Sequence, residues 1–431
     1  MPDDLVSTRR SFVNRGLTLL SAAATVPTFL ERTAQAFADE PGATPRRAKA
    51  GRRDHRVLVV LQLAGGNDGL NTIVPYRADP YYRARPQIAV PRSDALKLTD
   101  ELGLNPAATG LKQLYDDGLL AIVQGAGYPN PDRSHFRGTE IWETADPAGR
   151  NHRGWLGRYF DCECSGRAAC DPKLAIALTQ EAPLTLEGES FSPVAFSSPA
   201  QLTWQPGRVS AHARAAHAAL LESTESSPAT LTTLDYVRRT ALDAQLSAHE
   251  IQDAAGGSGG PRVPRLPRQG GAGLAQQLSM VARMIAAGLP TRVYYVALGG
   301  FDTHAQQAGR HTQLLRELGD GLTGFVAELR RTGQLDRVLV MSFSEFGRRV
   351  EQNASQGTDH GAAAPMFLVG SRVAAGLIGV HPPLDRLDNG DLRWGIDFRS
   401  VYQAVLADWL GANARRILGG SVPAVSVLRK R

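Results

Sequence analysis

Five stretches of this chain are dominated by apolar residues, and each gives way abruptly to polar ones. They are the run that opens "RVLVVLQLAGGNDGLNTIVP" (56–75), "LLAIVQGAG" (119–127), the start of "RVYYVALGGFDTH" (292–304), "RVLVMSF" (337–343) and "PMFLVG" (365–370). A strand with one wet face alternates apolar and polar residues, whereas a strand covered on both faces does not. Helical patterns lie between these runs. In "NPAATGLKQLYDDG" (105–118), Asn105 suits the N-cap and Pro106 the first helical position. "LAQQLSMVARMIAAG" (274–288) ends on Gly288, and "TQLLRELGDGLTGFVAELRRTG" (312–333) on Gly333, a C-cap residue. "YPNPDRSHFRGTEIWETAD" (128–146) reads as a loop running into a helix, and "DFRSVYQAVLADWLG" (397–411) as a terminal helix. Strand alternating with helix predicts an α/β fold with a parallel sheet.

The middle of the chain is less regular. Residues 147–209 hold one short apolar run, "KLAIAL" (173–178), and residues 210–252 read as helix. "DAAGGSGGPRVPRLPRQGGAG" (253–273) is a Gly/Pro/Arg linker. Cys162, Cys164 and Cys170 sit in "CECSGRAAC" without a zinc spacing and with no His among them, so one pair is expected to staple a loop. Net charge is +6, with a local excess in "PRRAKAGRRDHR" (45–56). No aromatic-interleaved basic stripe follows it, which argues against a nucleic-acid partner.

The N-terminus carries an export pattern. Arg9 and Arg10 precede Phe12 in "STRRSFVNRG" (7–16), an uncharged run "GLTLLSAAATVPTFL" (16–30) follows, and "AQAFA" (34–38) supplies small residues for a signal peptidase. The pattern resembles a twin-arginine signal, which implies the twin-arginine machinery as a partner and export of a folded chain to the periplasm or beyond. The uncharged run is 15 residues, short of the roughly 20 that a stable span needs. Residues 1–38 are therefore expected to be the signal, 39–55 a polar linker, and 56–431 one α/β domain with a less regular insertion at about 147–270.

Ligands in open α/β sheets bind beyond the carboxyl ends of the strands. Asn67 and Asp68 follow the first run, and Ser134 the second. Asp302 and His304 follow the third, Ser344 and Glu345 the fourth, while Asp359 and His360 come just before the fifth. Each has a plain structural reading. Asp68 suits an Asx-turn, Ser134 a helix N-cap, Asp302 and His304 caps for the next helix, and Glu345, Asp359 and His360 partners for Arg348 and Arg349. Taken together they suggest metal-assisted chemistry. Carboxylate and imidazole ligands bind divalent cations, and a metal near a Ser hydroxyl activates it as a nucleophile.

"LAGGNDGLNTIVPY", "PNPDRSHFRGTEIWE", "GGFDTH", "SEFGRRVEQNASQGTDHG" and "DFRSVYQAVLADWLG" together resemble the exported bacterial family called domain of unknown function 1501, over about 56–411. That family is similar in turn to the alkaline phosphatase and sulfatase superfamily. The resemblance implies a three-layer α/β/α sandwich with a mostly parallel central sheet, and a centre of one or two divalent metals (zinc, magnesium, calcium or manganese). It implies Ser134 as nucleophile and Asp68, Asp302, His304, Glu345 and His360 as metal ligands. Two departures stand out: Asp302 and His304 are two apart where the superfamily commonly has four, and Glu345-Phe346 stands in place of an Asp-His pair. His311 is a remote substitute for a missing ligand. Asn67, His135 and Arg348 are expected to contact the anion, Arg348 foremost because a guanidinium fork fits tetrahedral oxyanions.

The expected activity is hydrolysis of a small phosphate or sulfate ester. The alternative is a non-catalytic exported binding or scaffold protein on the same fold. A dinucleotide oxidoreductase fits poorly, since "LAGGNDG" lacks G-x-G-x-x-G and puts Asp68 where a pyrophosphate would lie.

Overall fold

The structure is a computed structural model, and it describes residues 55–165, 170–202, 247–256 and 273–429. The expected signal at 1–38 lies outside these residues, as do nearly all of the linker at 39–55 and most of 210–252 and 253–273.

The five apolar runs are strands: β1 (Val57–Ala64), β5 (Leu120–Gly127), β8 (Val293–Gly299), β9 (Val338–Phe343) and β10 (Ala364–Val369). Shorter strands are β2 (Ile73–Val74), β3 (Leu96–Lys97), β4 (Gly103–Leu104), β6 (Ala175–Ala177), β7 (Val194–Ala195), β11 (Gly376–Ile378) and β12 (Ile396–Asp397). The main sheet runs β11-β5-β10-β9-β1-β8-β6-β7, with β12 beside β5. β2, β4 and β3 form a small separate sheet. Pairings in the main sheet are parallel except at β10, which runs antiparallel to both β5 and β9.

The helices used below are α1 (Gly69–Thr72), α2 (Asp79–Ala84), α3 (Thr109–Asp116), α4 (His135–Thr144), α5 (Trp155–Glu163), α6 (Leu274–Ala286), α7 (Gln307–Arg331), α8 (Phe398–Ala404) and α9 (Ala414–Leu418). They cover both sheet faces, and β1 shows why its sequence does not alternate. Val57, Val59, Leu61 and Leu63 pack into a core with Leu111 of α3, Leu278 of α6 and Leu318 of α7. Leu58 and Val60 face the other core, with Ile141 of α4, Leu156 of α5, Val401 of α8 and Ile417 of α9. This is an α/β fold in three layers with a mixed, largely parallel sheet. Truncating a residue such as Leu61 to Ala would cost about 2–5 kcal/mol.

Two helix starts differ from expectation. α3 starts at Thr109, not near Asn105, because the Asn105 side chain accepts from Ala107 N–H and closes a turn first. α7 starts five residues ahead of the expected Thr312, at Gln307. Cys164 and Cys170 form the disulfide, leaving Cys162 as a free thiol.

Candidate metal centre

The turn after β1 and the loops after β5, β8 and β9 meet at one edge of the sheet. Because β10 is antiparallel, the residues that precede it reach this same edge. Close approach is required here. Gly65 has φ +115°, and a Cβ on it would lie 2.3 Å from the backbone nitrogen of Asp302. Only glycine adopts that backbone without strain and leaves room for the β8 loop.

Asp302 is the hub. Its Oδ1 lies 3.1 Å from His360 Nε2 and 3.2 Å from His304 Nε2, and its Oδ2 lies 3.4 Å from His135 Nε2. His304 Nε2 and His360 Nε2 are 2.9 Å apart. Ligand atoms of His135, Asp302 and His360 all fall within 4.8 Å of one another, forming a group able to hold a metal ion. Phe346 is buried beneath them, its ring centroid 4.2 Å from that of His360 and 5.0 Å from that of His135.

Each imidazole is held by its other nitrogen. His360 Nδ1 is 2.8 Å from the Arg133 carbonyl oxygen, which can only accept, so Nδ1 carries the proton. His304 Nδ1 is 3.2 Å from Asp359 Oδ1. A hydrogen bond from Asn353 holds the Asp359 carboxyl below its usual range, so this oxygen also accepts at neutral pH. His135 Nδ1 lies 3.0 Å from Glu345 Oε1. With Nδ1 the held nitrogen of each ring, the Nε2 atoms of His304 and His360 are the ones turned toward each other and toward Asp302. Partial burial opposes the Asp302 charge, but the Arg348 guanidinium, which donates to Oδ1, brings its carboxyl down to about 2. Three electron-pair donors thus converge within about 3 Å, an arrangement that a cation between them satisfies. The donor chemistry fits a divalent metal.

Several expected roles are corrected. Asp68 does not join the cluster. Its Oδ1 accepts from Leu70 and Asn71 N–H as the N-cap of α1, and its Oδ2 accepts from Arg85 Nη1 and Gln307 Nε2. The Asx-turn reading of Asp68 is therefore the one observed. Burial works against its charge, yet Arg85 holds its carboxyl below the usual range. Asn67 is buried and faces inward, its Oδ1 accepting from Thr72 Oγ1 and lying 3.1 Å from His311 Nε2. His311 is buried in this second network, and burial pushes its imidazole down to about 4.

Arg348 is 1% exposed, and each of its three guanidinium nitrogens has a partner. Nε donates to the Gly66 carbonyl and Nη1 to that of Thr358, while Nη2 donates to the carbonyls of Gly65 and Phe301 and to Asp302 Oδ1. It knots the β1 turn to the β8 loop from a buried position, with its contacts spent on backbone carbonyls and Asp302. His135, expected at the anion, stands in the cluster instead. Glu345, expected as a ligand, touches His135 from behind. Asp302 and His304 do not cap α7, whose N-cap position is Gln306.

Ser134 occupies the N-cap position of α4 but makes no side-chain cap bond. Its N–H donates to Asp132 Oδ1, and its carbonyl accepts from Gly138 N–H. The side chain is exposed, between Arg133, whose carbonyl holds His360, and His135. Chain continuity thus keeps Ser134 at the rim of the cluster. Sequence reasoning missed Arg85 and Gln307 as partners of Asp68, and no local pattern marks them.

No curated protein matches this chain. Solved structures align with it weakly. A PsFucS1 sulfatase from Pseudoalteromonas sp. aligns at TM-score 0.33 and 12% identity, over 91% of this chain and 72% of that one. The TAB5 alkaline phosphatase aligns at 0.32 and 9%, over 74% and 92%. The phosphonate monoester hydrolase SpPMH from Silicibacter pomeroyi aligns at 0.27 and 9%, over 85% and 77%. Residues 122–393 match the family described as protein of unknown function (DUF1501), and the chain belongs to that family.

Proposed function

We propose that this chain is an exported metal-dependent hydrolase of phosphate or sulfate esters. The observation that carries the reading is the convergence of His304 Nε2, His360 Nε2 and Asp302 Oδ1, with His135 Nε2 completing the group. His135, Asp302 and His360 would hold one divalent cation, with His304 Nε2 beside them. Among zinc, magnesium, calcium and manganese, imidazole donors favour zinc. When bound, the cation supplies positive charge for the ester oxygens and lowers the pKa of a nearby hydroxyl.

Ser134 is the proposed nucleophile. Its Oγ is exposed beside His135, at the N-terminal end of α4, where unpaired first-turn N–H groups favour an anion. Attack by Ser134 on phosphorus or sulfur displaces the alcohol, and water then releases the acid. Export through the twin-arginine route belongs to the same proposal, and no helix among the described residues is long and apolar enough to cross a membrane.

A second reading has its own support. Asp68 and Arg348 are consumed by internal partners, as expected of a metal-binding protein without turnover. Metal analysis and a panel of phosphate and sulfate monoesters on the purified chain separate the two. The hydrolase reading expects about one metal per chain, and turnover that Ser134→Ala reduces to background. Metal without turnover on any ester favours the second reading. Neither metal nor turnover overturns both.

A further inference from the structure

Glu345 follows β9 and is 2% exposed. Its Oε1 accepts from Gly65 N–H at 2.7 Å and lies 3.0 Å from His135 Nδ1. Its Oε2 is buried with no hydrogen-bond partner. A carboxylate only accepts, so the proton between Glu345 and His135 belongs on Nδ1. His135 Nε2 is then bare, and it is this atom that faces Asp302. The same logic operates at His360 through the Arg133 carbonyl and at His304 through Asp359. Glu345 differs from Asp359 in being buried and in being tied to the β1 turn through Gly65.

We propose that Glu345 is a positioning residue that fixes His135 as the Nδ1–H tautomer, with Nε2 aimed at the Asp302–His360 centre. The inference rests on the metal reading above and deepens it. Glu345 acts through His135 and does not itself hold the cation. The lone Oε2 strengthens the hold. With only Gly65 N–H and His135 as partners, the buried carboxylate draws the imidazole N–H and leaves Nε2 as the donor atom.

The test uses the full chain and zinc alone as the probe. Nitrogen–proton correlation spectra of the metal-free protein report the His135 tautomer, and competition with a chelator reports zinc affinity. Wild type is expected in the Nδ1–H form. Glu345→Gln retains an accepting oxygen, so it keeps the tautomer and loses less than about tenfold in affinity. Glu345→Ala mixes the tautomers and binds zinc about 10–100-fold more weakly. Adding Glu345→Ala to His135→Asn produces no further loss.

An Nε2–H form of His135 in wild type overturns the proposal. So does unchanged zinc affinity in Glu345→Ala, or a zinc-bound crystal structure with a Glu345 oxygen at about 2.0–2.2 Å from the ion. If Glu345→Ala does not fold, the wild-type spectrum and the Glu345→Gln affinity still decide. Failure of the hydrolase reading registers separately, as absence of ester turnover.

Discussion

Asp68 and Arg85 form an ion pair at 2.6 Å with both side chains essentially out of solvent. Arg85 follows α2 and also donates to the carbonyls of Val350 and Arg349 and to Asn71 Oδ1. The pair ties the β1 turn to the segment after β9, beside the cluster but apart from it. Removing one partner strands a buried charge, so Arg85→Met should cost about 3–5 kcal/mol in urea unfolding. Asp68→Asn, which keeps the N-cap acceptor, should cost less. The Asp68 carboxyl is held below its ordinary 3.8 in the folded chain. Its contribution is therefore present above pH 3.8 and disappears as pH falls through the lower folded value. In Asp68→Asn that part of the acid-unfolding slope should vanish.

Metal removal is the second test. A ligand at a hundred times its dissociation constant stabilises the folded state by about 2.7 kcal/mol. Chelation should lower the unfolding midpoint of wild type accordingly. His360→Ala should start at the lowered midpoint and respond no further, and Asp302→Ala should do the same. A chelator response retained in both variants would place the metal elsewhere.

Glu143 of α4 carries a pH signature independent of the metal. Burial pushes its carboxyl up from 4.5 to about 7, with Thr185 Oγ1 and Tyr295 Oη as its hydrogen-bond donors. Below pH 4.5 its protonated form is present in both folded and unfolded chains, and its contribution is complete. From pH 4.5 to about 7 the unfolded chain ionises first, so stability declines, by roughly 3 kcal/mol at the limit. Glu143→Gln should flatten stability across that window, measured by urea unfolding at successive pH values.

The thiols make a simple count. The chain has three cysteines, with Cys164 paired to Cys170. Unfolding without reductant should expose one reactive thiol per chain, Cys162, and unfolding with reductant three. Replacing Cys164 and Cys170 by Ser should cost about 2 kcal/mol, the loop-closure value for so short a loop.

Much of the fold was legible because burial on both sheet faces writes itself into composition. Val57 to Leu63 carry apolar residues on both parities, as the two cores on either side of β1 require. The rule that ligands gather past strand ends drew attention to Asp302, His304 and His360, which do meet. Asp68 satisfied the same rule and yet turned inward, because Arg85, seventeen residues on, offers a buried cation that no local pattern announces.

The chain's own order of residues determined the strand runs, the polar segments that follow them and the pair Ser134–His135 at the head of a helix. It did not determine that β10 runs antiparallel, which brings His360 to the edge reached by the ends of the other strands. Nor did it determine which nitrogen of each histidine is held. Those partners are Glu345 for His135, Arg133 for His360 and Asp359 for His304, at separations of 210, 227 and 55 residues. Hydrogen bonds depend on tenths of an ångström and on ring orientation. Tertiary packing sets both, and neither is carried by spacing along the chain.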